Sequence, residues 1–326
     1  MTREEIRQIL RMPEKDFRRE VMPLARETYR KADNQLYGMS MLGYSNICRN
    51  QCLYCGMRAG QKIPRFRLPV EEIVGSARAA KASGFSRIFL ISGEDPGYGY
   101  EHLLQVVEGI HALGLEISLA CGEFSPSQYQ ELKAAGAGEY VIKYEMGQRE
   151  VFNRLNPSTD FDKRMAAIEA VKASGLKLAS GNIVDYPGQT EEMLIEDIEL
   201  MVKLDISWAP IVPYMPAKGT PLAETGANGG PAKPGERLKI LKEIAIMRLL
   251  MPEIRITAQQ PGDDLREGMA SEQGNLDALM AGGNILFCDL LPDARAGAFR
   301  VVDHRELKGV SHFRKMAEMS GMELSL

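Results

Sequence analysis

Three cysteines fall within one short run, Cys48-Arg49-Asn50-Gln51-Cys52-Leu53-Tyr54-Cys55. Thiols at this density serve as metal ligands or redox partners. A redox pair needs only two cysteines, and zinc sites commonly draw four ligands from two paired groups. Here three thiols come from one tight loop with no histidine beside them. An iron-sulfur cube usually takes four thiolates, so three leave one iron with an open position for a second molecule. An open iron implies reactivity. A structural zinc, or a chance grouping of buried thiols, is the alternative that the spacing leaves. The chain has five cysteines, an odd number, which does not suit a secreted disulfide framework. The two outside the cluster, Cys121 and Cys288, read as small hydrophobes, although each lies near an expected strand end.

Other polar groups recur at regular intervals after apolar runs. Ser92-Gly93-Glu94-Asp95-Pro96 places two carboxylates beside a glycine that permits close backbone approach. Cys121-Gly122-Glu123 and Lys143-Tyr144-Glu145 follow, then Arg164, whose guanidinium fork matches a carboxylate. Thr190 precedes Glu191-Glu192 as a helix cap. Met215 sits in Pro213-Tyr214-Met215-Pro216, and Thr257-Ala258-Gln259-Gln260-Pro261-Gly262-Asp263-Asp264 offers a last polar group. For each of these a plain turn, a surface salt bridge or core packing is the bland alternative. The four histidines, His102, His111, His304 and His312, stand away from the strand ends, so a histidine metal site has little support.

The elements that must position these groups are legible from periodicity. Strands are expected at 37–44, 87–91, 116–120, 140–144, 177–184, 208–212, 255–258 and 284–287. Amphipathic helices are expected between them at 70–83, 101–113, 126–135, 190–204 and 236–250. Gly84 and Gly136 fall just past two of those helices, where a left-handed residue terminates the turn. Eight strand-helix units suit an α/β fold of the closed (β/α)8 TIM type, with a doubly wound open sheet as the less favoured arrangement. In a barrel, chemistry gathers at the C-terminal ends of the strands, where all of these motifs lie. We expect an N-terminal helical segment over 1–36, the barrel over 37–290, and an extension over 291–326 packed on it. The Gly- and Pro-rich stretch 226–235 reads as a surface excursion.

Composition narrows the partners. The 326 residues are 44% hydrophobic and 26% charged, an ordinary globular mixture. A net charge of -4 disfavours a nucleic-acid or acidic-membrane partner, each of which is met by a clustered basic surface. No long apolar run and no signal-like start are present, so a cytoplasmic enzyme with a small-molecule partner is expected.

The Cys-x3-Cys-x2-Cys spacing, with Tyr54 before the last cysteine, resembles the signature of the radical S-adenosylmethionine (SAM) enzymes. The resemblance implies a 4Fe-4S cluster on Cys48, Cys52 and Cys55 whose open iron chelates SAM. It also implies reductive cleavage of SAM to a 5′-deoxyadenosyl radical, and an electron donor such as flavodoxin or ferredoxin. By the same likeness Tyr54 lies near the adenine, and Ser92, Gly93, Glu94 and Asp95 receive the SAM amino group. Glu145 meets the ribose hydroxyls, Arg164 clamps the carboxylate and Met215 lines the cavity. Tyr44-Ser45-Asn46, Arg65-Phe66-Arg67 and the 92–96 segment are similar to the subgroup of biotin synthase, methylornithine synthase and the iron-iron hydrogenase maturase HydE. Similarity to HydE extends furthest, over roughly 37–250. The chain departs from those maturases at Lys143-Tyr144-Glu145, where they carry Arg-His-Glu, and in its acidic loop after the seventh strand. It also lacks their second C-terminal cysteine group. The implied substrate is small and amino-acid-like. A HydE-like role, a methylornithine synthase-like mutase and a non-enzymatic iron-sulfur scaffold or electron carrier all stay open at this level.

Overall fold

The computed structural model describes residues 1–226, 233–263, 268–269, 271–303 and 308–326. Its longest strand, β1 (Gln35–Ser45), is buried along nearly its whole length. A strand buried on both faces needs neighbours on both edges and cover above and below. Seven further barrel strands and their crossover helices supply them. The remaining strands in chain order are β2 (Arg87–Ser92), β3 (Glu116–Ala120), β4 (Glu139–Val141), β5 (Lys177–Ala179), β6 (Ile183–Val184), β7 (Trp208–Ala209), β8 (Val212–Pro213), β9 (Arg255–Ile256), β10 (Ile285–Asp289) and β11 (Glu323–Ser325).

The main sheet runs β10-β1-β2-β3-β4-β5-β7-β9, with each neighbouring pair parallel. Its two ends meet. β9 reaches β10 through the Thr257↔Ile285 bridge. Asn284 N donates to Ile256 O at 2.9 Å, and Ala258 N to Ile285 O at 2.9 Å. Closure of eight parallel strands gives the expected (β/α)8 barrel rather than an open sheet. Helices Val70–Ala82, Tyr100–His111, Pro126–Ala134, Phe161–Ala173, Glu191–Leu204, Arg237–Leu250 and Glu272–Met280 cover the outside. Gly84 (φ 95°) and Gly136 (φ 113°) end their helices in a conformation that a Cβ would strain.

Two strands differ from expectation, and the difference shapes the cavity. The apolar run 177–184 breaks after β5, where the Ser180 side chain donates to Ile142 O at 2.7 Å while its backbone N–H donates to Trp208 O at 3.2 Å. The run 208–212 breaks at Pro210, which has no N–H to offer a neighbour. Beyond these breaks β6 and β8 pair with each other in a separate two-stranded sheet, so the barrel wall splays near its mouth.

The chain ends also join the barrel. β11 pairs with the start of β1, an edge that the sequence pattern did not reveal. The N-terminal helix Arg3–Arg11 lies on helix Glu191–Leu204, with Arg3 and Arg7 on Glu192 and Arg11 on Glu191. These pairs are exposed and screened by solvent, so they contribute little. Burial of Ile6 and Ile9 on the same helix, worth roughly 1.5–3 kcal/mol per side chain, holds it more firmly. No helix of the described residues is long and apolar enough to cross a membrane. The 226–235 excursion falls largely outside the described residues, as do Asp264 and His304.

Candidate active site

The cysteine loop leaves the C-terminal end of β1 and is held open by one side chain. Arg65 donates to four backbone carbonyls around it, those of Asn46, Met57 (2.9 Å), Arg58 (2.8 Å) and Gln61 (3.1 Å). The loop is also stapled to the segment after β2. Arg49 N donates to Glu94 O at 2.9 Å, Asn50 Nδ2 to Glu94 Oε2 at 2.9 Å, and the Arg49 guanidinium pairs with the same carboxylate. A Cβ on Gly93 would overlap the Ile47 carbonyl oxygen and stand 2.7 Å from Cys48 Cβ. Only glycine lets the two segments come this close.

Burial pushes the thiols of Cys48, Cys52 and Cys55 upward, that of Cys52 to about 12; Cys48 raises Cys52 further, and both raise Cys55. Three bare thiolates are therefore disfavoured here unless a cationic centre takes them. Among the described residues no group of three or more His, Cys, Asp or Glu is gathered to hold a single ion. A cube differs from such a site, because it presents a separate iron to each thiolate.

Below the loop the barrel opens into a cavity of about 420 Å³. Cys48, Cys55, Tyr54, Ser92, Gly93, Glu94, Glu145, Arg164 and Met215 all line it, so the structure brings together most of the residues singled out from sequence. Cys52 stands beside them, with its field reaching Glu145 and Arg164. Tyr54 donates its hydroxyl to Asn156 Oδ1 at 2.7 Å, which fixes the ring against the wall. Arg164, on helix Phe161–Ala173, lies over the Phe152 ring and pairs with Glu123 at 2.7 Å while also donating to Lys143 O. Lys143 Nζ meets Glu145 Oε2 at 2.9 Å.

Glu145 takes a left-handed backbone (φ 61°), which costs a non-glycine residue about 1–2 kcal/mol. Two bonds enforce it: Glu145 N donates to Gly181 O at 3.1 Å and Ile183 N to Glu145 O at 2.9 Å. Behind this turn lie two buried acids, Asp197 and Glu243, with Asn182 against both. Asp197 accepts from Gly147 N (2.7 Å) and Gln189 Nε2 (3.0 Å), yet burial pushes its carboxyl up to about 7. Burial also raises Glu243, followed by the charge of Asp197. Folded, Asp197 holds its proton more tightly than in the unfolded chain, where the ordinary value is about 4. Its contribution is therefore most favourable below about pH 4 and is lost as pH climbs through 7. Denaturant unfolding of the wild type should show stability falling by on the order of a few kcal/mol between about pH 4 and pH 7. Asp197→Asn should show a shallower decline, and equal slopes would remove the buried acid as its cause.

One expectation needs correction. Asp95 does not face the cavity. Arg67 grips its carboxylate with two bonds of 2.7 Å, Ser45 Oγ donates at 2.7 Å and Gly97 N at 3.1 Å, so its oxygens are committed to capping the turn Pro96–Tyr98. The polar loop after β9 supplies two lining groups. Thr257 and Gln259 reach the lining, but Gln260 donates to Ile211 O inside the wall and Asp263 pairs outward with Arg237. The near-strand-end cysteines also stay apart from the cavity. Cys121 is buried in the wall near Tyr44 and Ser92, its thiol raised to about 11 by burial, and Cys288 is not among the lining residues.

Sequence reasoning missed several groups. Asn50 and Arg49 occupy variable positions of the motif and carried no signal of their own. Asn156 is placed only by tertiary contact. Val301 and Val302 reach the cavity from the C-terminal segment. The inward positions Phe89, Trp208 and Phe287 form a mutual ring cluster with centroids 5.3, 5.7 and 5.9 Å apart. Strand alternation could have found these three.

Comparison with known proteins is consistent with this geometry. The model of the Radical SAM superfamily matches residues 42–201. The [FeFe] hydrogenase maturase subunit HydE of Thermotoga maritima is 31% identical over 293 residues, covering 89% of this chain and 81% of that protein. The biotin synthase of Acinetobacter baumannii is 29% identical over 299 residues, covering 88% and 84%. Among solved structures, methylornithine synthase (PylB) superposes with a TM-score of 0.84 at 25% identity, over 100% of this chain and 94% of that one.

Proposed function

The chain belongs to the radical SAM superfamily, whose enzymes work with a 4Fe-4S cluster and S-adenosylmethionine, and on that premise we propose that Cys48, Cys52 and Cys55 hold the cluster above a cavity that takes SAM and a small amino-acid-like substrate. Held by these three thiolates, a 4Fe-4S cluster would supply one-electron reduction of the SAM sulfonium, the chemistry that yields methionine and a 5′-deoxyadenosyl radical.

The observation that carries this reading is the convergence of three thiols, a glycine cradle and a ring of charged groups on one cavity mouth. The protein's own residues divide the binding work. Gly93 lets the cysteine loop close against the segment after β2, and Glu94 accepts from the SAM ammonium. Arg164 offers its fork to the SAM carboxylate, held at the right height by Glu123 and the Lys143 carbonyl. Glu145 accepts from the ribose hydroxyls, its strained backbone aiming the carboxylate inward. Tyr54 and Met215 flank the adenine. Asp95 acts at one remove by tying the 92–96 segment to Arg67.

Within the superfamily we read the chain as HydE-like, serving hydrogenase cofactor maturation or a paralogous reaction, with flavodoxin or ferredoxin as electron donor. Similarity to HydE over most of both chains supports it. The likeness to methylornithine synthase in fold keeps an amino-acid mutase as the second reading. Anaerobic incubation of reconstituted protein with SAM, dithionite and candidate amino acids or cysteine-derived thiazolidines tests both. Substrate-stimulated 5′-deoxyadenosine is expected. No stimulation by any small amino acid or thiazolidine would count against both, and SAM left intact throughout would leave only a scaffold or carrier role.

A further inference from the structure

The cavity has two halves of different chemistry. Every acid of the lining, Glu94, Glu123 and Glu145, stands at the mouth with Arg164. The inner half is walled by Met41, Phe89, Val141, Trp208 and Phe287. Its few polar groups are already committed to one another. Trp208 Nε1 donates to Thr257 Oγ1 at 3.0 Å, and Gln259 accepts from Phe287 N at 2.9 Å while donating to Met269 O.

Lys143 stands between the halves. It stands two residues past Val141, the last residue of β4, and so nearer the mouth. Both line the cavity. Its ammonium forms an ion pair with Glu145 and feels the charge of buried Glu243, but among the described residues no acceptor takes a hydrogen bond from it. The side chain is only 16% exposed, so an incoming anion would find a largely desolvated partner.

We propose that the inner chamber seats a small carboxylic acid, with its carboxylate on Lys143 Nζ and an uncharged, apolar tail against Phe89, Trp208 and Phe287. This rests on the reading of the outer half as the SAM seat, and it narrows the substrate class. Apolar burial against three rings favours the tail, whereas an ammonium at the same depth would lose its water with no acid to replace it. A diamino acid therefore fits poorly, which separates the two substrate readings. Attraction of a cationic tail to the ring faces is the competing force, and the test must weigh it.

Trp208 is the only tryptophan of the chain, so its emission reports on the chamber floor. The probes are hexanoate, hexylamine, L-norleucine and L-lysine, titrated into anaerobically reconstituted protein with and without SAM. Binding is read by Trp208 emission and by calorimetry. Hexanoate is expected to bind more tightly than hexylamine, and norleucine more tightly than lysine, which differs from it by the ammonium tail. Lys143→Met should weaken hexanoate roughly ten- to a hundredfold, the weight of one charge-assisted bond. Lys143→Arg should restore it, which a merely structural lysine would not predict, and Phe89→Ala should weaken both favoured probes.

Tighter binding of hexylamine or lysine overturns the proposal. So does a Lys143→Met variant that loses SAM affinity while binding hexanoate unchanged, since Lys143 would then serve SAM. Protein that binds no SAM sinks the reading of the outer half alone, because the order of the probes in its absence still judges the chamber.

Discussion

Cys52→Ala is expected to leave a folded barrel without its iron-sulfur chromophore and with SAM intact in the presence of dithionite. Cys52 is the best of the three for this purpose, because Cys55 packs against the main apolar core and Cys52 does not. Trimming a partly buried thiol that is not packed in the main core should change the stability of the metal-free chain by about 1 kcal/mol or less. Iron and sulfide content, visible absorbance and 5′-deoxyadenosine formation should therefore fall together while the melting temperature of the apoprotein stays put. Cys288→Ala, which alters a thiol outside the cavity lining, should keep all three signals. A Cys52→Ala protein that retains four irons and cleaves SAM would remove Cys52 from the ligand set.

Gly93→Ala should produce the second large loss, by displacement rather than by removing a ligand. The added methyl meets the Ile47 carbonyl and the Cys48 Cβ. The first of these is backbone, so nothing flexible yields, and either the cysteine loop or the 92–96 segment must shift. A displacement of about 1 Å at a reacting centre costs on the order of a hundredfold in rate. We expect kcat/KM for SAM cleavage to fall by that order, with the cluster still loaded. Gly75→Ala is the matched control. Gly75 lies in helix Val70–Ala82 with nothing within 4 Å of a new Cβ, so this change should stabilise the chain by about 0.5–1 kcal/mol without touching catalysis. Unchanged SAM cleavage in Gly93→Ala would mean that the close approach of the two segments has no part in the chemistry.

Much of the barrel could be read before any coordinates. Strand-helix alternation is a local signal, since each strand's apolar run and each helix's 3.6-residue stripe depend on that segment alone. The eight strand positions, the helix caps and the placement of motifs at strand ends followed from it. Breaks within strands were less legible. Pro210 could have been taken as a ladder breaker, but the break after Ala179 depends on Ser180 finding the Ile142 carbonyl on a neighbouring strand. No local pattern announces that contact. The pairing of β11 with β1 was invisible for the same reason, as the two strands lie at opposite ends of the chain.

For the site itself, the amino-acid sequence alone determined the thiol spacing and hence the kind of metal chemistry, because that chemistry depends on residues within one loop. Only the tertiary structure decided which polar side chains remain available to a ligand. Glu94 and Asp95 are adjacent and chemically alike, yet one lines the cavity and the other is consumed by Arg67 and Ser45. Lys143, for which the sequence left a surface salt bridge open, lies in a half-apolar cavity paired with Glu145. A side chain's hydrogen-bonding capacity is finite, and its partners come from distant elements. Availability is therefore a property of the folded whole, while the identity of the ligating atoms is already present in the chain.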